Sequence, residues 1–158
     1  MEFTTEIFGL FHIKRALLTA GNKDKFNTMT IGWGGLGTIW NKPMATVYVR
    51  ESRYTHDFMD ENDYFTISVY PDEYKKILGI LGQRSGRDMD KMNDSGLTPK
   101  ILSDSVTFEE AEVTFVCKKV FKQRIPIDMV PKDARETFYS DGDPHDMYIG
   151  EVVEVIKK

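Results

Sequence analysis

Apolar and polar positions alternate in several short stretches, and each alternation predicts a strand. In 28–33, Met29, Ile31 and Trp33 share one face, and Thr28, Thr30 and Gly32 the other. In 44–50 the apolar face is Ala45, Val47 and Val49, with Pro43 expected at the strand start because it cannot donate to a ladder. In 64–70 it is Phe65, Ile67 and Val69. Residues 16–20 form a short apolar run that ends at Gly21-Asn22, before a polar turn at 23–25. Residues 112–121 are rich in β-formers, with 122–124 prolonging them, and 147–156 make a last strand.

Helical spacing is confined to short pieces. Ser52 is a good N-cap for a helix with Phe58 and Met59 on its apolar side. Pro71-Asp72 starts a second, with Asp72 as cap, Tyr74, Ile77, Leu78 and Leu81 on one face, and Gly79 and Gly82 expected to end it early. A polar loop with one helical turn fits 85–93, and a short helix with proline in its first turn fits 131–138. Asp141-Gly142-Asp143-Pro144 is a turn. The expected fold is mainly β with short helices: one domain over 1–158, built as a small barrel with helical additions. Regular βαβ alternation, which a doubly wound parallel sheet needs, is absent.

Composition narrows the class. The chain has 158 residues, of which 41% are hydrophobic and 29% charged, enough for a packed core and against disorder. A net charge of −4 disfavours a general nucleic-acid or anionic-membrane surface. The single Cys117 cannot form an intrachain disulfide, and in an apolar strand it reads as an inert core thiol. With no signal-like apolar run and no bilayer-length segment, a cytoplasmic protein is expected, and the sequon Asn93-Asp94-Ser95 is read as chance.

Candidate chemistry lies in three places. Gly32, Gly34 and Gly37 spell G-x-G-x-x-G, but a dinucleotide fingerprint needs a helix immediately afterwards, and here 38–43 brings β-formers and a proline. The alternative is a bent or bulged strand pair, which also exposes backbone that can lie against a flat ring. Arg50, Ser52, Arg53, Tyr54 and Thr55 bring forked donors and hydroxyls to a helix start, where free N–H groups add partial positive charge. They describe a phosphate site or an ordinary cap with solvent-facing arginines. Ser85, Gly86, Arg87 and Lys91 belong to a polar cluster that either closes over a ligand or is a solvated loop. A flat ring joined to a phosphate is flavin mononucleotide (FMN). His12, His56 and His145 show no metal spacing; Asp143, His145 and Asp146 suggest a metal or acid–base site, but the turn accounts for the carboxylates equally well, and no G-x-S-x-G elbow supports a hydrolase.

The run Asn27-Thr28-Met29-Thr30-Ile31-Gly32-Trp33 through Trp40-Asn41-Lys42-Pro43, then Val49 to Thr55, resembles the flavin reductase-like family, and within it the flavoredoxin-type branch. Ser85-Gly86-Arg87-Asp88 with Lys91, and the ending 145–153 with Tyr148, Gly150 and Glu151, continue the likeness, which covers 15–155. The resemblance implies an FMN-binding split β-barrel, a homodimer with the flavin near the interface, and NAD(P)H or a redox protein as electron donor. It implies that Met29, Thr30, Ile31, Gly32 and Trp33 border the ring, largely through backbone groups. Arg50, Ser52, Arg53 and Thr55, with Tyr54, would hold the phosphate or ribityl end, and Ser85, Gly86, Arg87 and Lys91 would cover the flavin. His145 and Tyr148 are expected near the site. No protein acid or base is nominated as catalytic and no metal is expected. The competing functions are an NAD(P)H-dependent flavin reductase, a non-enzymatic FMN electron carrier serving a protein partner, and a split barrel binding haem or no cofactor.

Overall fold

The computed structural model describes residues 6, 8–88 and 90–158. A π-helical turn, Leu10–Lys14, precedes the strands β1 (Ala16–Gly21), β2 (Phe26–Ile31), β3 (Gly34–Ile39) and β4 (Lys42–Arg50). Then come α1 (Tyr54–Glu61), β5 (Tyr64–Val69), a 3₁₀ turn Asp72–Tyr74, α2 (Lys75–Gln83) and α3 (Lys91–Ser95). The short strands β6 (Pro99–Ile101) and β7 (Val106–Phe108) form a separate ladder. Next are β8 (Val113–Arg124), a 3₁₀ turn Ile127–Met129, α4 (Lys132–Phe138) and β9 (His145–Lys157). No described helix is long and apolar enough to cross a membrane.

Seven strands form one sheet in the order β2-β1-β5-β8-β9-β4-β3, with every neighbouring pair antiparallel. Antiparallel pairing rules out the dinucleotide-binding topology that the glycine spacing alone suggests. The two edge strands, β2 and β3, are joined by Gly32-Trp33 alone. So short a link spans about 11 Å at most, so the sheet curls until its edges meet. No ladder joins β2 to β3, and the barrel stays split along that seam. Register shifts in β8 at Val116/Cys117 and Lys119/Phe121 supply the bulges that let a sheet curl.

The strand faces follow the alternation. Ala16, Leu18, Met29, Ile31, Ala45, Val47, Val49, Phe65, Ile67 and Val69 fill the barrel interior together with Phe115, Cys117 and Tyr148. The opposite face of β1 packs Leu17 against Leu78, Leu81, Leu97 and Phe108, so β1 is buried on both sides. Trp33 departs from the expected face: it lies beyond the last ladder pair of β2 and is 40% exposed. Gly34, Gly35 and Gly37 lie in a regular strand, and the sharp reversal falls instead at Trp40-Asn41, where φ of 53° and 58° makes a two-residue hairpin turn.

Ser52 does not cap α1; Arg53 takes the N-cap position with no side-chain cap bond. Asp72 likewise makes no cap bond, and α2 runs through both Gly79 and Gly82 to Gln83. On β9, Gly150 allows close packing: an added Cβ would lie 2.6 Å from the Phe65 ring and 2.8 Å from the Cys117 Cβ. Gly150→Ala is expected to lower stability by about 2 kcal/mol through overpacking, read as a lower urea midpoint with an unchanged slope.

Candidate functional site

The split concentrates the accessible backbone. Three cavities share Gly32 and Trp33. One of about 220 Å³ is lined by Met29, Thr30, Ile31, Gly32, Trp33, Tyr48, Arg50, Phe138 and His145, which brings together all five residues expected to border a ring. Met29 and Ile31 point into the core, leaving their backbone for a ligand. The Thr30 hydroxyl donates to the Leu78 carbonyl and ties β2 to α2.

Beside this strip lie two cations, Lys91 buried and Arg53 half-buried. Arg53, at the N-cap of α1, donates through Nη1 to the Gly82 carbonyl at the end of α2, 2.9 Å away. Among the described residues its buried Nη2 has no hydrogen-bond partner. Lys91, the first residue of α3, is 5% exposed and donates to the carbonyls of Thr28 (2.7 Å) and Leu81 (3.2 Å). Burial, reinforced by the nearby Arg53 charge, lowers its pKa to about 8. Burial also lowers that of Arg53, whose guanidinium remains charged near neutrality. Among the described residues neither cation has a carboxylate partner. Two like charges withdrawn from water with no counter-charge are unfavourable unless an anion completes the set.

The neighbourhood suits a close approach. Asn27 Nδ2 donates to Thr55 Oγ1 at 2.8 Å, fixing β2 to the first turn of α1. A Cβ at Gly86 would overlap the Asn27 carboxamide, so the 85–88 turn lies tightly over this end of the strand. Asp90 caps α3 by accepting from the N–H groups of Met92 and Asn93, which sets Lys91 inward. Met89, also in this cluster, lies outside the described residues.

Not every expected phosphate ligand turns to this pair. Arg50, opposite His145 in the β4–β9 ladder, donates through Nη1 to the Asp141 carboxylate and the Asp143 carbonyl, and through Nη2 to the Phe138 carbonyl. Ser52 donates to the Asp143 carboxylate through its backbone N–H and its hydroxyl. Both therefore latch the 138–144 segment, whose Phe138 packs edge-on against Trp33 with centroids 5.1 Å apart. Arg87 is taken up by Asp57 (2.8 Å), the Ser52 carbonyl and the Tyr54 ring. The Ser85 hydroxyl accepts from the Arg87 N–H. Arg50→Ala is thus expected to weaken FMN and riboflavin alike, several-fold each, by loosening the segment over the ring strip; parallel titrations read it.

His145 does reach the ring strip. Its ring lies 4.9 Å from that of Trp33, and its Nδ1 pairs with the Tyr139 hydroxyl at 2.9 Å. Burial, aided by the Arg50 charge, lowers its pKa to about 4, so the imidazole is neutral near pH 7. Tyr148 does not line this cavity. It is fully buried and its hydroxyl donates to Asp60, in a network where His56, Lys122 and Arg124 surround Asp146. Burial alone would raise the Asp146 pKa, but hydrogen bonds from Arg124, His56 and Lys122 outweigh it and hold the group at about 2. This network ties α1 to β8 and β9 behind the site.

Sequence reading missed Asn27, Gly82, Tyr48, Phe138 and Tyr139. Asn27 carried a signal: a carboxamide in register with Met29 and Ile31 on an inward strand face needs a buried partner.

An antiparallel sheet curled into a barrel that stays open at one seam is a split barrel, and the backbone strip and the Arg53–Lys91 pair beside the opening make a candidate site for a ring and an anion. The chain belongs to the flavin reductase like domain family, which residues 8–158 match. It is similar to flavoredoxin from Methanosarcina acetivorans, with a TM-score of 0.74 and 22% identity over 100% of this chain and 75% of that one. An FMN-binding protein from Thermus thermophilus gives a TM-score of 0.70 and 19% identity, covering 99% of this chain and 79% of that one. A protein with a split barrel domain from Shewanella frigidimarina NCIMB 400 gives 0.72 and 18%, covering 96% and 72%. No curated protein sequence matches the chain.

Proposed function

We propose that this protein binds FMN at the barrel seam and acts as a flavin reductase-like oxidoreductase that accepts hydride from NAD(P)H. The observation that carries the reading is the Arg53–Lys91 pair: a buried ammonium beside a half-buried guanidinium with, among the described residues, one buried nitrogen lacking a partner and no carboxylate for either. A phosphate dianion supplies the missing charge and acceptor oxygens. The Met29–Trp33 strip offers backbone N–H and C=O groups to the polar edge of a ring, while Trp33, Phe138 and His145 bound it on another side. When bound, FMN supplies the hydride and electron chemistry, and the protein positions it and tunes its potential. Arg53 and Lys91 hold the anionic end, and the Arg50 latch keeps the 138–144 segment over Trp33 and limits water.

A homodimer with the flavin near its interface is part of the proposal. It is supported by the family resemblance and by Phe8, Ile13, Trp33, Leu36 and Trp40, large apolar side chains exposed on the seam turn and its neighbouring segments. The experiment is anaerobic addition of NADH and of NADPH to the flavin-loaded protein. Bleaching of the flavin absorbance within seconds supports the reductase. Flavin that binds but stays oxidised with both donors replaces it with an electron carrier reduced by a protein partner.

A further inference from the structure

Helix α1 starts without a side-chain cap, since Arg53 at its N-cap turns its guanidinium to the Gly82 carbonyl. Two tertiary anchors hold the first turn instead. Thr55 accepts from Asn27 on β2, and His56, 7% exposed, reaches across to β9, where its Nε2 lies 2.8 Å from the Asp146 carboxylate. Asp146 is ionised near neutrality and can only accept, so His56 Nε2 carries the proton and donates it. The ring is fixed on its other sides as well. Its Nδ1 lies 3.8 Å from Asp60, and Tyr148 meets it edge-on with centroids 6.0 Å apart.

The backbone closes the link to the anion site, because the His56 N–H donates to the Arg53 carbonyl at 2.9 Å. On β9, Asp146 directly follows His145, and successive strand residues face opposite ways. His145 lines the ring strip while Asp146 receives α1. We infer that the His56–Asp146 bond is a strut that sets the spacing between the ring strip and the arm carrying Arg53, with His56 as the positioning residue. FMN joins ring and phosphate through one ribityl chain, and a guanidinium displaced by about 1 Å loses its hydrogen bond to the phosphate while the ring contacts persist. The inference rests on the reading of Arg53 as the phosphate anchor.

The test is titration of FMN and riboflavin against four variants, at a temperature where urea melts show each one folded. His56→Phe keeps a ring against Tyr148 but removes the donor. It should raise the FMN dissociation constant about tenfold and leave riboflavin within about twofold. His56→Gln, which restores an N–H donor, should recover most of the loss. In an Arg53→Gln background, His56→Phe should cost FMN nothing more, because the strut acts through Arg53. Asp146→Asn, which keeps the shape and one acceptor oxygen but not the charge, should weaken FMN alone by at least about threefold, and it decides the matter if His56→Phe does not fold. A purely structural histidine would weaken both flavins equally or neither. That result, a loss that His56→Gln does not repair, or a loss that persists beside Arg53→Gln overturns the inference. Equal binding of FMN and riboflavin by the unaltered protein removes the anion reading and the strut with it, whereas failure in the variants alone leaves the anion reading standing.

Discussion

Replacing Arg53 with glutamine raises the dissociation constant for FMN by about 100-fold, ~2.7 kcal/mol, and leaves riboflavin within about threefold. The asymmetry comes from what Arg53 does in the free protein. One nitrogen is spent on the Gly82 carbonyl, and the other is buried and unpaired. The unpaired nitrogen has already lost its water, so an incoming phosphate oxygen gains a charged hydrogen bond without a further desolvation cost on the protein side. Riboflavin has the ring and the ribityl chain but no phosphate, and so senses the guanidinium only weakly. The contrast with Arg50→Ala, expected to weaken both ligands alike, separates an anion anchor from a latch on the same stretch of chain. Equal loss of both ligands in Arg53→Gln would assign Arg53 to the scaffold.

FMN affinity falls as pH rises above about 8, by up to tenfold per pH unit, while riboflavin affinity stays flat over the same range. The sign follows from Lys91. Burial, with the Arg53 charge behind it, lowers the free-protein pKa to about 8, below the ordinary lysine value of 10.5. Below that point the ammonium is present and the phosphate, doubly charged above about pH 6, meets it directly. Above it, binding must first restore the proton. The unliganded fold moves the opposite way: between about pH 8 and 10.5 the unfolded chain binds the proton that the folded one releases, so this lysine makes stability rise with pH. Titrations of FMN and riboflavin at pH 7, 8, 9 and 9.5, beside urea melts of the unliganded protein, read both slopes. An FMN constant flat to pH 9.5 would remove Lys91 from the anion site.

The barrel was legible because a period of two leaves little freedom. Met29 and Ile31, Ala45 to Val49, and Phe65 to Val69 could only face one interior. That Met29 to Trp33 line one cavity was legible, because consecutive residues of a strand ending at a glycine stay together wherever the strand lies. The proposed anion site was legible in composition and not in detail. Arg50, Ser52, Arg53 and Thr55 look equivalent along the sequence, yet the β4–β9 ladder sends Arg50 toward Asp141 and Asp143, and Asp143 draws Ser52 from its expected cap. Lys91 joins Arg53 only through the packing of α2 and α3 against β2, a tertiary fact that no local pattern carries. The π-helical turn and the positive φ of Arg15 left no sequence signal, since an arginine gives no local hint of a glycine-like conformation.

The most direct measurement is a pair of titrations of the purified protein at pH 7.5, one with FMN and one with riboflavin, followed by flavin absorbance and fluorescence. The account predicts that FMN binds at least about 100-fold more tightly than riboflavin, a margin set by the phosphate contacts of Arg53 and Lys91. Equal affinity for the two flavins, or binding of neither, would contradict it.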